Sequence, residues 1–426
     1  MVRTILTRSM ASAGTEVQTK EVGRAGGMFR ALAHRNYRLF WTGAFLSNVG
    51  TWMQTVAQSL LVFQLTQSGT WLGADSFMAT VPGLLLTLVG GVIADTVDRK
   101  RLLILTQACA GLSALVLSAL VWTGVVRVWM ILALSFVTGC CWAISGPSYQ
   151  AITVDLVERE DLANAIALNS SQFQLARVIG PTLAGVTMQL LGLAGCFFAN
   201  GISYVAIVTA LANVRLPKKE RAGVRSRAIW RDLLEGFSYV RGRRRVSVLL
   251  LCSTVVSLFG TPYLVLLPMF SHNVYGWEKA GYSLLMGTAG AGALVGAVFL
   301  AYLGDFRRKG LFLLCCLFSG GACITAFALV TRPAAALPLL FAIGFSMVCF
   351  FALGNTLLQQ LVTDEMRGRV MSMWLLTFIG TMPLGSLITG RSADYFGPGH
   401  TLATCGLVIF LFAVFVAARY PRLREI

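Results

Sequence analysis

Long, mainly apolar runs alternate along the chain with short polar punctuation. A helix rises 1.5 Å per residue, so about 20 apolar residues cross a hydrocarbon core of ~30 Å. Twelve stretches fit that length: 39–63, 71–94, 102–123, 128–151, 165–190, 194–213, 247–270, 282–303, 311–330, 336–358, 370–390 and 401–418. Period-two alternation over about ten residues, which marks a membrane barrel strand, is absent. The pattern predicts an all-α membrane protein of twelve transmembrane helices. Glycine is frequent (43 residues) and falls within the spans, where small residues let helix backbones approach closely.

Composition agrees. Hydrophobic residues make up 56% of the 426 and charged residues 12%, against about 25% in soluble domains. That is too little charge to clothe a soluble surface, so lipid is the expected solvent. The formal charge of +17 then reads as topology rather than nucleic-acid binding. With both ends inside, 30 of the 35 lysines and arginines lie in internal segments. The exceptions are Arg127, Arg177, Lys279, Arg332 and Arg391. The expected location is the bacterial inner membrane, multi-pass, with both termini cytoplasmic.

The first 28 residues have no apolar run ahead of a cleavage site and are read as a cytoplasmic tail. Residues 28–38 read as a short basic interfacial helix anchored by Phe29, Leu32 and Tyr37. The expected organisation is tail and interfacial helix 1–38, N-terminal six-helix half 39–213, cytoplasmic linker 214–246, C-terminal six-helix half 247–418 and C-terminus 419–426.

The halves repeat. GGVIADTVDRKR follows the second span and AYLGDFRRK the eighth, which sets Asp95 against Asp305 at an offset of 210. Gly73 and Asp75 are echoed by Gly281 and Ser283, Gly146 by Gly354, and Gly180 and Gly185 by Gly385 and Gly390. Offsets of 205–210 across these landmarks indicate a duplicated six-helix unit. A tandem repeat with an even number of spans gives parallel halves, an arrangement that holds substrate at mid-membrane between them.

Twelve spans, a long central loop and the G-x-x-x-D…R-K loop resemble the major facilitator superfamily. Within it, GPSYQAITVDLVEREDLANAIALNSS (146–171) and QLARVIGPTLAG (174–185) resemble the bacterial transmembrane secretion effector exporters, relatives of the enterobactin exporter. The resemblance covers about residues 30–420. It implies that Asp95 caps the start of the eleventh helix while Arg99 and Lys100 fasten neighbouring helix ends, although Thr96 stands where a basic residue is usual. It also sets A-R-V-I-G-P-T-L-A-G (176–185) beside the superfamily's antiporter motif. Gly180 and Pro181 match there, and Ala176 and Ala184 replace glycines. This implies export, with the two halves packed closely on the outer side.

The residues themselves offer candidates. Ser47, Thr51, Gln54 and Gln58 step by +4, +3 and +4 along one face of the first span, with Asn48 beside them. The resemblance makes this face a cavity wall. Arg177 is the basic residue deepest in a span. It shares a face with Ser170 and Gln174 and must meet a cavity or a partner. It is expected to hold an anionic substrate group or to pair with an acid such as Asp75. Asp75 is the acid best placed within a span and is the candidate proton carrier. Asp155 and Asp161, between the fourth and fifth spans, are read as gating or capping residues, and Asp305 as the second copy of the loop acid. Further cavity candidates are Trp142, Ser145 and Tyr149 in the N-half, and Tyr263, Asn355, Gln359, Trp374, Thr377 and Phe378 in the C-half.

The ten cysteines lie in apolar spans without metal-ligand spacing, so neither metal nor cofactor is expected. No G-x-x-x-x-G-K-[ST] loop or nucleophile constellation is present, which argues against an ATP-driven pump and against an enzyme. The reading is a secondary active transporter, a proton-coupled exporter of a siderophore, drug or other amphipathic metabolite working by alternating access. Its partners are the lipid bilayer, the small-molecule substrate and protons, with no nucleic acid, and the chain is expected to be a monomer. Alternatives are a lysolipid flippase or solute importer on the same fold and, more distantly, a non-transporting receptor or assembly factor.

Overall fold

A computed structural model of the chain describes residues 27, 29–215 and 229–424, and the side chains of all these except 87–96, 229–234 and 422. The N-terminal tail through residue 26 and most of the polar linker lie outside the described residues. Helix dominates the rest. The N-half comprises α1 (Arg35–Thr66), α2 (Gly69–Thr96), α3 (Arg99–Trp122), α4 (Val128–Leu156), α5 (Leu162–Leu190) and α6 (Gly192–Asn213). A short helix, α7 (Ile229–Gly242), occupies the end of the linker.

The C-half has six rods built from eight helices. Its first rod, Arg244–Val274, joins α8 (Arg244–Val255) to α9 (Tyr263–Met269) through a π-helical segment, and a second π segment follows α9. Next come α10 (Lys279–Leu303), α11 (Lys309–Leu329) and α12 (Pro333–Leu361). The fifth rod, Asp364–Phe396, is α13 (Asp364–Ile379) and α14 (Met382–Phe396), broken at Gly380 and Thr381 ahead of Pro383. Proline lacks the backbone N–H that continuity would need. The last rod is α15 (Pro398–Arg419). Nine of the twelve rods meet the length and composition of a membrane span among the described residues. The other three are α1, α2 and α5.

Packing repeats as the sequence does. α2 lies against α4 and α3 against α6; one unit later, α10 lies against α12 and α11 against α15. Among the described residues smaller contacts join α1 and α2 to α9, α1 to α10 and α2 to α13, and the two most extensive contacts between the halves are α2 with α14 and α5 with α10. Both are close because glycines carry no side chain there. A Cβ at Gly73 would strike the Ser386 backbone and one at Gly390 the Gly69 carbonyl. On the other seam, Gly290 meets the Arg177 carbonyl and Gly185 meets Ser283.

Both described chain ends lie on one membrane face, called here the chain-end face. Its turns include Val157–Glu158, and the opposite, far face includes Gly397. That residue takes φ +81° in the one-residue link from α14 to α15, a conformation that suits glycine.

One expectation changes at the N-terminus. A 3-10 turn (Arg30–Ala33) precedes α1 in place of a helix over 28–38. Phe29 is exposed, but Tyr37 is fully buried and belongs to the span. Its hydroxyl donates to the Ala165 carbonyl at 2.9 Å and to Asn169 Oδ1 at 3.1 Å. Tyrosine buried this deeply needs such a partner.

Candidate functional site

The polar face of α1 meets polar residues from three other N-half helices. Asn200 on α6 donates to Gln54 Oε1 at 2.6 Å. Gln54 donates to Gln58 Oε1 at 3.2 Å. Gln58 then donates to both oxygens of Asp75 on α2, at 2.9 and 3.0 Å, and to Ser135 Oγ on α4 at 2.8 Å. Ser135 completes the set by donating to Asp75 Oδ1 at 2.5 Å. Every amide in this file donates toward the carboxylate, and such chains polarise one another in a low dielectric.

Asp75 is 8% exposed. No lysine, arginine or histidine lies within ion-pair distance of it among the described residues. A buried carboxylate without a counter-cation depends wholly on its hydrogen bonds. The repeat makes this asymmetric: Ser283, its counterpart on α10, is buried with a hydroxyl lacking a partner among the described residues.

These residues line a cavity of about 420 Å³ between the halves. Asn48, Thr51, Gln54, Gln58, Asp75, Ser135, Trp142 and Asn200 form its polar N-half wall. Leu264, Val265, Met286 and Met382 face them from the C-half. A smaller cavity of about 150 Å³ lies within the N-half, lined in part by Ser47, Gln107, Ser145, Tyr149 and Gln172. Asn48, Thr51, Trp142, Phe173 and Tyr204 line both. Thr51 Oγ1 and the Tyr204 hydroxyl stand 3.3 Å apart on this shared wall. The α1 stripe and the three α4 candidates thus line two adjoining cavities, with Ser47, Ser145 and Tyr149 on the smaller one and Gln54 and Gln58 on the larger.

The C-half candidates do not join them. Tyr263 is buried, and its neighbours Leu264 and Val265 line the cavity instead. Trp374 packs on Gly354 and Phe351, Phe378 also packs on Phe351, and Thr377 donates to Ser253 Oγ at 2.8 Å. Gln359 donates to Asn355, its neighbour one turn earlier on α12.

Arg177 is half-buried, with its guanidinium carbon 5.5 Å from the centre of the Trp52 ring. A cation over an indole face is attracted by its quadrupole. The guanidinium also acts electrostatically on the buried Tyr263 hydroxyl, without a hydrogen bond of normal geometry. It makes no ion pair with Asp75. Gln174 keeps a buried oxygen without a partner among the described residues, while Ser170 is exposed and bonds back to Ile166. The α5 motif divides between two neighbours. A side chain at Gly180 would strike Trp52 and Val49 in the same half, and Gly185 faces α10 across the seam. Pro181 is buried within α5.

On the chain-end face, Arg99 pairs with Asp155 at 3.1 Å. Lys100 donates to the carbonyls of Ala212 and Val214 at the end of α6, both at 2.8 Å. These contacts tie the start of α3 to α4 and to the end of α6. Asp98 caps α3 by accepting from the Arg101 amide at 2.8 Å. The Asp95 side chain lies outside the described residues. Asp161 pairs with Arg30 at 2.8 Å and His34 at 2.7 Å, and Asp305 pairs with Lys309 at 2.5 Å.

The far face holds a residue that sequence reasoning passed over. Asp394, near the end of α14, accepts from Ser68 Oγ at 2.6 Å, the Gly69 amide at 2.5 Å, and the Thr70 amide and hydroxyl at 2.9 and 2.6 Å. It caps the N-terminus of α2 from the other half. The available signal was an acid one turn beyond Gly390, a glycine already marked by the repeat.

The chain matches the transmembrane secretion effector family over residues 26–426. It is 22% identical to macrolide efflux protein A of Streptococcus pyogenes, over 89% of this chain and 96% of that one. It is 25% identical to the staphyloferrin A transporter of Staphylococcus aureus, over 87% and 92%, and 23% identical to the enterobactin exporter of Shigella boydii, over 92% and 93%. In fold it is similar to a bacterial homologue of the human lysosomal transporter Spinster in an inward-facing, unoccupied conformation, with a TM-score of 0.69 at 15% identity, covering 92% of this chain and 96% of that one. It is likewise similar to the nucleoside transporter NupG, with a TM-score of 0.69 at 12% identity, covering 92% and 99%. These are membrane transporters rather than enzymes, and with its twelve rods, repeated halves and cavity between them the chain belongs to the transmembrane secretion effector family of the major facilitator superfamily.

Proposed function

We propose that the protein is a proton-coupled exporter of a bulky amphipathic metabolite or drug, working by alternating access, with Asp75 as the proton-carrying group. The observation that carries this reading is the carboxylate itself. Asp75 is buried in the wall of the inter-half cavity, has no counter-cation among the described residues, and is held by Gln58 and Ser135. A hydroxyl both donates and accepts, so Ser135 can serve the ionised acid as donor and the protonated acid as acceptor. The carboxyl therefore keeps a hydrogen-bond partner in either protonation state.

The basic residues support a cytoplasmic chain-end face. The α2–α14 and α5–α10 seams and the Asp394 cap then hold the outer side together, leaving the cavity to fill from the cytoplasm. Outward opening must part these contacts. The cavity's two walls, one of amides and hydroxyls and one of leucine, valine and methionine, suit a substrate that is polar on one side and apolar on the other. The names of the three relatives, for a macrolide and two siderophores, supply the compounds to try first. Arg177, beside the cavity over Trp52, is the group proposed to favour anionic substrates.

The test is transport into inverted vesicles with an imposed proton gradient, run with a macrolide, a carboxylate siderophore and a catecholate siderophore. Wild-type uptake of at least one is expected to rise when the vesicle interior is acid. Asp75→Asn should bind the same compound but no longer respond to the gradient. A gradient response that survives Asp75→Asn removes Asp75 from the coupling role. Equal flux of every compound with and without a gradient removes the exporter reading.

A further inference from the structure

Where the first and last rods of the C-half meet on the chain-end face, three arginines surround a cleft. Arg244 and Arg245 open α8, and Arg419 closes α15. With Val248, Tyr420, Pro421 and Leu423 they line a cavity of about 370 Å³. The Arg244 and Arg419 guanidinium carbons each lie 6.0 Å from the centre of the Tyr420 ring. Arg424 folds back to donate to the Ala417 carbonyl at 2.7 Å, which fastens the chain end beside the cleft. All three lining arginines are exposed, and no carboxylate among the described residues pairs with them.

The surroundings fix the depth of this cleft. α7 ends immediately before α8 and presents Phe237, which is 60% exposed. Arg243 stacks on Tyr239 with its guanidinium carbon 4.6 Å from the ring centre. An exposed aromatic on a short helix beside a span, followed by an arginine stacked on tyrosine, marks the membrane–water interface.

Three guanidinium groups with no carboxylate partner among the described residues repel one another on one cleft, and a shared anion relieves that repulsion. The planar guanidinium fork matches phosphate oxygens in pairs. The lining distinguishes a lipid from a free anion. Val248 and Leu423 are buried in the cleft floor, while Pro421 is exposed at the cleft and offers hydrocarbon that an inorganic phosphate would leave uncovered, whereas a glycerol backbone and the first acyl carbons would cover it. We propose that Arg244, Arg245, Arg419 and Tyr420 form a binding site for the phosphate headgroup of an anionic phospholipid in the chain-end leaflet. The bound lipid bridges the first and last rods of the C-half, outside the substrate cavity, and acts as a fastening of that half.

The test uses the full-length protein in phosphatidylcholine nanodiscs with and without phosphatidylglycerol, read by native mass spectrometry and thermal unfolding. The wild type should retain phosphatidylglycerol over phosphatidylcholine and unfold at a higher temperature when it is present. The triple variant R244Q/R245Q/R419Q should lose at least tenfold in apparent affinity for phosphatidylglycerol. In phosphatidylcholine alone it should unfold with the wild type, since these arginines carry no ion pair among the described residues. Should that variant fail to fold, R244K/R245K/R419K keeps the charge and loses the fork, and it should show the same loss of retention. R307Q/R308Q, which removes a basic pair elsewhere on the same face, should retain the lipid. Three results overturn the proposal: equal retention of both lipids by the wild type, equal loss in R307Q/R308Q and the triple variant, or a thermal shift produced by inorganic phosphate but not by phosphatidylglycerol.

Discussion

Asp394 Oδ2 accepts both the backbone amide and the hydroxyl of Thr70, at 2.9 and 2.6 Å, across the seam between the two halves. Ser68 and Gly69 add two more donors, so a single carboxylate secures the start of α2. Hydrogen bonds to a charged acceptor are worth about 1.5–3 kcal/mol each in favourable settings. Exposure to solvent and competition from water reduce this at the membrane surface. Asp394→Asn replaces one acceptor oxygen by a donor and removes the charge. The far-face seam should then open more readily, with the open population rising about 5- to 30-fold for a loss of ~1–2 kcal/mol. Spin labels at Gln67 and Gly399, in a cysteine-free background, should report a longer distance component. An unchanged distribution would show that this cap does not hold the seam.

Gly390→Ala tests the same seam by steric means. The added methyl would strike the Gly69 carbonyl, and overpacking of this kind costs about 1–3 kcal/mol. Both the lower stability and the longer far-face distance should appear. Lower stability with an unmoved seam would mean that the helices yield elsewhere.

Gln58 supplies two of the three side-chain hydrogen bonds to Asp75. Gln58→Leu keeps comparable bulk but leaves the carboxylate with Ser135 alone. Stranding a buried acceptor costs about 1–3 kcal/mol, so the melting temperature should fall. If Asp75 carries the coupled proton, the pH dependence of transport should also move, because removing donors to the ionised form favours the protonated acid. A profile identical to wild type would separate Gln58 from the coupling group.

Arg177 and Asp75 make no ion pair. Combining Asp75→Asn with Arg177→Met should therefore give the two single defects together rather than a recovery. Recovery in the double variant would mean that the two groups meet in another state of the cycle. Arg177→Lys retains the charge but loses the planar group over Trp52, and it should weaken transport of acidic substrates while sparing neutral ones.

Topology is tested by introduced cysteines. One at Gly223 should resist a membrane-impermeant thiol reagent in intact cells, and one at Lys279 should react. The opposite labelling would reverse the assignment of the two faces.

Local composition alone determined much of this protein. Hydrophobic length specified the spans, the spacing of glycines and loop acids exposed the duplication, and the +4, +3, +4 steps on α1 picked out the wall that carries Gln54 and Gln58. The spans and the stripe depend on residues within a few turns of one another, so periodicity reports them, and the duplication shows because the same local signals recur about 205–210 positions on. Tertiary structure decided what each face meets. Asn200 lies 146 positions from Gln54, and Asp394 lies 324 from Thr70. A polar stripe states that a partner is needed but does not name it. The same limit explains the C-half candidates: Trp374, Thr377 and Phe378 have residue types suited to a cavity, yet packing against Gly354, Ser253 and Phe351 turned them inward and left Leu264, Val265, Met286 and Met382 facing the space. Arg177 followed the rule that a membrane arginine finds company. Only the approach of α5 to α1, made close by Gly180, determined that its company is the ring of Trp52 rather than an acid.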